Sequence, residues 1–182
     1  MGLSLQFAIG NKGTIINAAE KFDLDFFDNM EAQNLLADFS LHLIPNDLNL
    51  LVNSATEIRN IATFGLREYL DTEIFCFDSE EFGAYLVNPI IKDLFADFNN
   101  KEGNLLTNRW FDKMISTHNE DLEVTQDAIE AVAKLISICK EAKMSNLDLV
   151  HIWICKSKSN KLRLKNVIIL IKYKIQIPFY EI

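Results

Sequence analysis

The chain has 182 residues, 49% of them hydrophobic and 24% charged, with six glycines and three prolines. This fits one domain and excludes a mainly disordered, collagen-like or linker-like polypeptide. The net charge is -8. It is unevenly spread, because residues 151–182 hold seven basic side chains against one acidic (net +6) and the first 150 residues carry −14. Such an acidic body repels phosphate backbones, which argues against general nucleic-acid binding, and it attracts basic partners.

Leu3–Ile9 alternates apolar with smaller or polar residues, a strand pattern with one face toward a core. Gly10-Asn11-Lys12-Gly13 breaks it. Thr14 is placed to cap a short helix carrying Ile15, Ala18, Ala19 and Phe22 on one face. Phe22, Phe26, Phe27 and Met30 then interleave with Asp23, Asp25 and Asp28, which reads as a loop leading into a short helix around Met30–Ala37. Ser40–Ile44 reads as a short strand or an extended approach to the next helix, since Pro45 disfavours the α conformation at Ile44. Asn46 or Asp47 can cap that helix, with Leu48, Leu51, Val52, Ala55 and Ile58 at helical spacing. Ala62–Leu70 can continue helical after a break.

Glu73–Phe77 reads as a strand, and Asp78-Ser79-Glu80-Glu81 as a turn and helix start, because carboxylates favour a helix N-terminus. Asn88-Pro89 is a clearer helix start, cap and then proline at the first position. Residues 99–104 read as a polar loop before a helix through Trp110, Phe111, Met114 and Ile115. His118–Asp121 forms another loop. Thr125 to about Lys143 is the strongest predicted helix, with Ile129, Val132, Leu135, Ile136 and Cys139 as its stripe. Leu147–Ile154 is apolar on both faces, which predicts a central strand.

The tail differs. Lys161–Lys165 and Ile171–Ile177 alternate basic or polar with apolar residues. One or two strands are expected, with a hairpin onto Leu147–Ile154 as one arrangement. Pro178 marks an edge or an end, and the lysines suit an edge strand. The abrupt shift to Lys, Ile, Asn, Tyr and Phe over residues 156–182 also fits an atypical extension, frame-shifted or read through, of a domain that ends near Leu147–Ile154. The expected fold is a single α+β or α/β domain. Its small mixed or antiparallel sheet packs against four to six helices, with Leu3–Ile9 and Leu147–Ile154 adjacent at the centre.

Cys76, Cys139 and Cys155 are widely spaced, without a C-x-x-C pair, and their odd number suits a reducing compartment. His42, His118 and His151 lack metal-site spacing, so neither metal nor cofactor is expected. The first basic residue, Lys12, follows the apolar start, unlike a secretory signal. The apolar run Val167–Ile171 is too short to span a bilayer. A cytoplasmic protein is expected, its oligomeric state unspecified.

Five features are candidate sites. Gly10, Asn11, Lys12, Gly13 and Thr14, between strand and helix, could bring backbone N–H groups to a phosphate. They match neither glycine-rich nucleotide motif, and an ordinary tight turn is the favoured explanation. Asp23, Asp25 and Asp28 could face a cation or a basic partner, but the EF-hand pattern fails at Phe27, Asp28 and Asn34. Asp78, Glu80 and Glu81 are either an acidic contact surface or a solvated helix start. Trp110 beside Arg109 is a partner anchor or a core residue. The basic tail could bind an acidic surface or simply protect an edge. No nucleophile motif is present. The expectation is a small acidic protein-interaction module, similar in composition to immunity-type inhibitors and regulatory binding proteins, with a protein partner that is basic in character. The alternative is a small-ligand binder or enzyme using the Gly10–Thr14 turn.

Overall fold

The computed structural model describes residues 2–41, 43–63, 66, 76–78 and 82–156. Two long strands form its axis. Strand β1 (Gly2–Gly10) pairs antiparallel with β5 (Asp148–Lys156) along their whole lengths, from Gly2 opposite Lys156 to Gly10 opposite Asp148. Short strands extend this ribbon: β2 (Leu36–Asp38) on the far side of β1, then β4 (Phe82–Leu86) and β3 (Cys76–Asp78) beyond β5. The order is β2-β1-β5-β4-β3, and every pairing is antiparallel. The fold is therefore α+β, not α/β, with β5 central as its two apolar faces predicted.

Helices cover both faces of the sheet. On one side lie α1 (Lys12–Glu20) and α2 (Leu24–Ala32), whose Ile15, Ala19, Phe27 and Met30 pack on Ala8, Leu36, Phe82, Ala84, Val150 and Ile152. On the other lie α3 (Pro45–Ile58), α4 (Pro89–Ala96), α5 (Asn100–His118) and α6 (Gln126–Ser145) over Leu5, Phe7, Ile9, Ala37 and Leu149. β1 is thus buried on both faces, not one. Its small residues Ser4 and Ala8 lie between the large ones that face α3–α6. Trp110 fills the larger core and donates its indole N–H to the Asp47 carbonyl at 2.8 Å.

Several expectations are corrected, each for a local reason. Asn11, not Thr14, caps α1, its Oδ1 accepting the Thr14 N–H at 3.1 Å. Phe22 is not on the face of α1. It follows the helix in the left-handed region (φ 54°), and its ring meets Phe82 edge-on. The predicted loop at 23–29 is helix α2, because the Asp23 carboxylate accepts the Phe26 N–H and starts it. The predicted helix at Met30–Ala37 breaks at Asn34, which is left-handed (φ 62°), and the chain enters β2. Ser40, Leu41, Leu43 and Ile44 belong to no strand; Leu41 is at a bend, Ile44 is extended before Pro45, and His42 lies outside the described residues. Neither Asn46 nor Asp47 is the cap of α3. The helix begins at Pro45, and Asp47, within its first turn, accepts the Ile44 N–H at 2.8 Å.

Asp78 is the end of β3, which pairs antiparallel with β4, so a strand begins at Phe82 where a helix was expected. Residues 73–75 and 79–81 lie outside the described residues. The polar stretch 99–104 is not a loop: Asn99 and Glu102 form a reciprocal cap, and α5 starts at Asn100. Gly103 reads as a loop residue, yet it is buried in that helix. A Cβ there would lie 3.2 Å from Ile136 Cδ1 of α6, so the glycine permits close helix approach. The tail beyond Lys156 and most of Ala62–Leu70 lie outside the described residues.

Candidate functional site

Helix α2 separates two surface grooves. The first lies between α2, β2 and α6, with a volume of about 550 Å³. Glu31 and Asn34 come from the end of α2 and the turn after it, Leu36 and Asp38 from β2, and Asp127, Glu130, Ala131 and Lys134 from α6. Four carboxylates face one ammonium, and Lys134 is itself held by Asn34 Oδ1 at 3.1 Å. The carboxylates differ in their local duties. Asp38 accepts the Ser40 N–H at 2.9 Å, Glu130 accepts from Gln126 Nε2 at 2.9 Å, and Asp127 lies in the first turn of α6.

The backbone of β2 adds to this groove. Ile9 N–H bonds to the Leu35 carbonyl and Phe39 N–H to the Leu5 carbonyl, both across to β1. Alternation in an antiparallel ladder then turns the N–H and C=O groups of Ala37 toward β1 and those of Leu36 and Asp38 outward. Among the described residues, no strand pairs with that outer edge.

The second groove lies on the opposite side of α2, with a volume of about 540 Å³. Phe26, Asn29, Met30 and Gln33, spaced to share one helix face, line it with Ile9, Gly10, Asn11, Thr14, Ile15 and Leu35. It therefore includes Gly10, Asn11 and Thr14 of the predicted turn, but not Lys12 or Gly13, and no carboxylate, histidine or lysine is among its lining residues. The N-terminus of α1 is also occupied. Asn11 accepts from Thr14, and the Lys12 N–H makes a long bond (3.4 Å) to Asp148 Oδ2. A carboxylate already stands where a phosphate would bind, so like-charge repulsion opposes the phosphate reading.

The other sequence candidates are dispersed. Asp23 is used as the cap of α2, while Asp25 and Asp28 are exposed on that helix, Asp28 one turn before Glu31. Asp78 ends β3, an edge strand of the sheet; Glu80 and Glu81 lie outside the described residues. Trp110 is fully buried and unavailable as a partner anchor. His151 is buried, stacked on Tyr85 and edge-on to Phe7. His118 ends α5, its Nε2 2.7 Å from Asp47 Oδ1. Burial pushes the Cys139 thiol well above its ordinary range, as suits a packed side chain. Among the described residues, no group of three or more His, Cys, Asp or Glu is placed to hold a metal ion, and no helix is long and apolar enough to cross a membrane.

Sequence reasoning missed Glu31, Asp38, Asp127 and Glu130 as a set. They form two local pairs distant from each other in the chain, Glu31 with Asp38 and Asp127 with Glu130, and only the packing of α6 beside β2 brings the pairs together. No family model matches the chain, and no curated protein or solved structure is detectably similar to it.

Proposed function

We propose that this chain is a non-catalytic cytoplasmic interaction module, of the inhibitor or regulatory kind, that receives a basic protein partner in the groove between β2 and α6. The observation that carries this reading is the clustering of Glu31, Asp38, Asp127 and Glu130 beside a strand edge that has no partner among the described residues. Convergent carboxylates attract a cationic surface and raise its association rate, an effect that salt screens over about 10 Å at 0.1 M. Asp25 and Asp28 extend the negative field along α2, which keeps part of the acidic surface expected from sequence.

The test compares the native protein with a Glu31→Gln/Asp127→Asn/Glu130→Gln variant in affinity capture from the source cell. Asp38 is left intact because it holds Ser40. The expected result is one stoichiometric basic protein, retained at low salt, released at high salt and lost by the variant. Equal retention by both proteins, or no retained protein, would overturn the reading.

A second reading rests on the other groove. Its apolar floor and neutral amide and hydroxyl rim suit an uncharged small ligand that displaces water from Ile9, Ile15 and Met30. A thermal-shift screen of neutral metabolites, repeated on Asn29→Lys, tests it. A hit unaffected by that substitution would rule this groove out as its site.

A further inference from the structure

The floor of the acidic groove is backbone as well as side chain. Leu36 and Asp38 line it from β2, Glu31 and Asn34 from the end of α2 and the turn after it, and Asp127, Glu130 and Lys134 from α6. The N–H and C=O groups of Leu36 and Asp38 face away from β1, and among the described residues no strand pairs with them. Asp127 and Glu130 form no ion pair among the described residues; the groove's own ammonium, Lys134, is held by Asn34 Oδ1 at 3.1 Å.

We propose that the partner enters this groove as an extended strand that adds antiparallel to β2, in the order basic, basic, apolar from its N-terminal side. This rests on the reading of the groove as a docking surface and names the part of the partner that docks. Backbone chemistry selects a strand. A helix bonds its own N–H and C=O groups internally and would leave the edge unpaired, whereas an added strand exchanges N–H···O bonds with both Leu36 and Asp38. Charge selects the owner of that strand. A second copy of this chain, pairing β2 with β2, would set like carboxylates against each other across the new edge, which is unfavourable. A basic segment of another protein meets four carboxylates instead.

Register selects the order. In an antiparallel addition the partner's first residue lies opposite Asp38, its second opposite Ala37 and its third opposite Leu36, and residues directly opposite share a face of the sheet. The first side chain therefore stands beside Asp38, whose Oδ1 is committed to the Ser40 N–H and hydroxyl and whose Oδ2 has no hydrogen bond among the described residues. The second takes the face of Ala37, which α6 covers, and meets Asp127 and Glu130. The third lies beside Leu36, which belongs to the cluster of Phe27 and Met30, so an apolar side chain extends that cluster. Basic residues thus serve on both faces of the added strand, and the apolar one serves only at the Leu36 position.

The test is an NMR titration of the full chain, at low salt, with a short capped peptide that has arginine, lysine and valine in that order at its centre. Two N-methylated forms carry the same charge. A methyl on the valine nitrogen removes an N–H that faces β2, and a methyl on the lysine nitrogen removes one that faces away. We expect the valine form to bind about tenfold more weakly than the parent and the lysine form to match the parent. The parent should also slow amide exchange at Leu36 and Asp38 while leaving Ala37, already bonded to β1, unchanged. Equal affinities for all three peptides overturn strand addition and leave the docking reading standing, since charge alone then holds them. Leu36 and Asp38 amides already protected without peptide overturn it too, because the edge is then filled. Absence of binding by the parent also overturns it, and the capture experiment then judges the docking reading by itself. Equal binding of the parent to the native protein and to Glu31→Gln/Asp127→Asn/Glu130→Gln sinks the acidic groove and the strand proposal together.

Discussion

The two grooves beside α2 are nearly equal in volume and share one helix as a wall, yet they are chemically opposite. One side of α2 offers Glu31 and, after the helix, Asn34, and joins them to carboxylates of α6 and β2. The other offers Phe26, Asn29, Met30 and Gln33 to the β1–α1 turn, without an ionisable group in its lining. Volume does not distinguish them; charge and open backbone do. The first combines long-range attraction with outward hydrogen-bonding groups, which suits an extended basic chain. The second can select only by shape and short neutral contacts, which suits an uncharged ligand. Helical periodicity makes this division possible, because residues 26, 29, 30 and 33 share a face that Glu31 does not.

The comparison can be broken most severely from the core. Trp110 braces the α3–α6 layer, far from the neutral groove. Trp110→Ala should cost about 3–5 kcal/mol, read as a shift of the urea midpoint. If the layers are coupled through the sheet, both grooves are lost in one transition. Separate transitions for the two sides would show that the α1–α2 layer folds on its own.

Gly83 offers a milder lesion at the sheet between them. Trp153 lies over it so closely that an added Cβ would fall 2.0 Å from the indole Nε1. Gly83→Ala should therefore cost about 1–3 kcal/mol through overpacking. Trp153 lies on the α3–α6 face, so near-ultraviolet circular dichroism of that side should change while neutral-ligand binding persists.

Asn11 sharpens the comparison, since it caps α1 and also lines the neutral groove. Asn11→Ala should cost about 1 kcal/mol in chemical denaturation and weaken any ligand of the second groove. Capture of a basic partner should be unchanged; a parallel loss would show that the grooves are not independent.

The smallest expected effect is acid sensitivity. The Asn99 N–H, then the Arg59 guanidinium, hold the Glu102 carboxyl below its ordinary value of 4.5. A folded-state value below the unfolded one stabilises the protein above about pH 4.5, and the contribution is lost as pH falls through the lower folded value. Arg59→Met should flatten the acid limb of melting temperature against pH below 4.5, and an unchanged limb would dismiss the pair as its source. Arg59 bridges to Glu102 and to the Asp97 carbonyl, away from both grooves, so capture of a basic partner at neutral pH should be unaffected.

Much of the scaffold was legible in the chain. Ile129 to Cys139 repeat at helical spacing, Asn88-Pro89 carries its own cap, and Leu147–Ile154 is apolar on both faces, so α6, α4 and the central strand needed only local rules. Where local signals misled, a second physical demand had intervened. Gly103 looked like a loop residue because nothing local shows that α6 will approach it. Asp78–Glu81 looked like a helix start because carboxylates suit one, but the adjacent β4, Phe82–Leu86, is a strand buried between β3 and β5. Of the candidate site, the acidic character was legible, while its location was not. Trp110 could be anchor or core by sequence, and burial made it core.

By itself, the sequence determined the composition-driven facts: a net-acidic body, a basic tail, and the type of several elements, among them α4, α6 and a strand at Leu147–Ile154 apolar on both faces. These follow from residue chemistry and from periods of 2 and 3.6, which need no knowledge of partners in space. Only the tertiary structure decided that the sheet is antiparallel with β1 beside β5, which carboxylates meet, that Asp148 stands at the α1 N-terminus, and which strand edge has no partner among the described residues. Each depends on residues distant in sequence and on sheet order, and a local pattern contains neither.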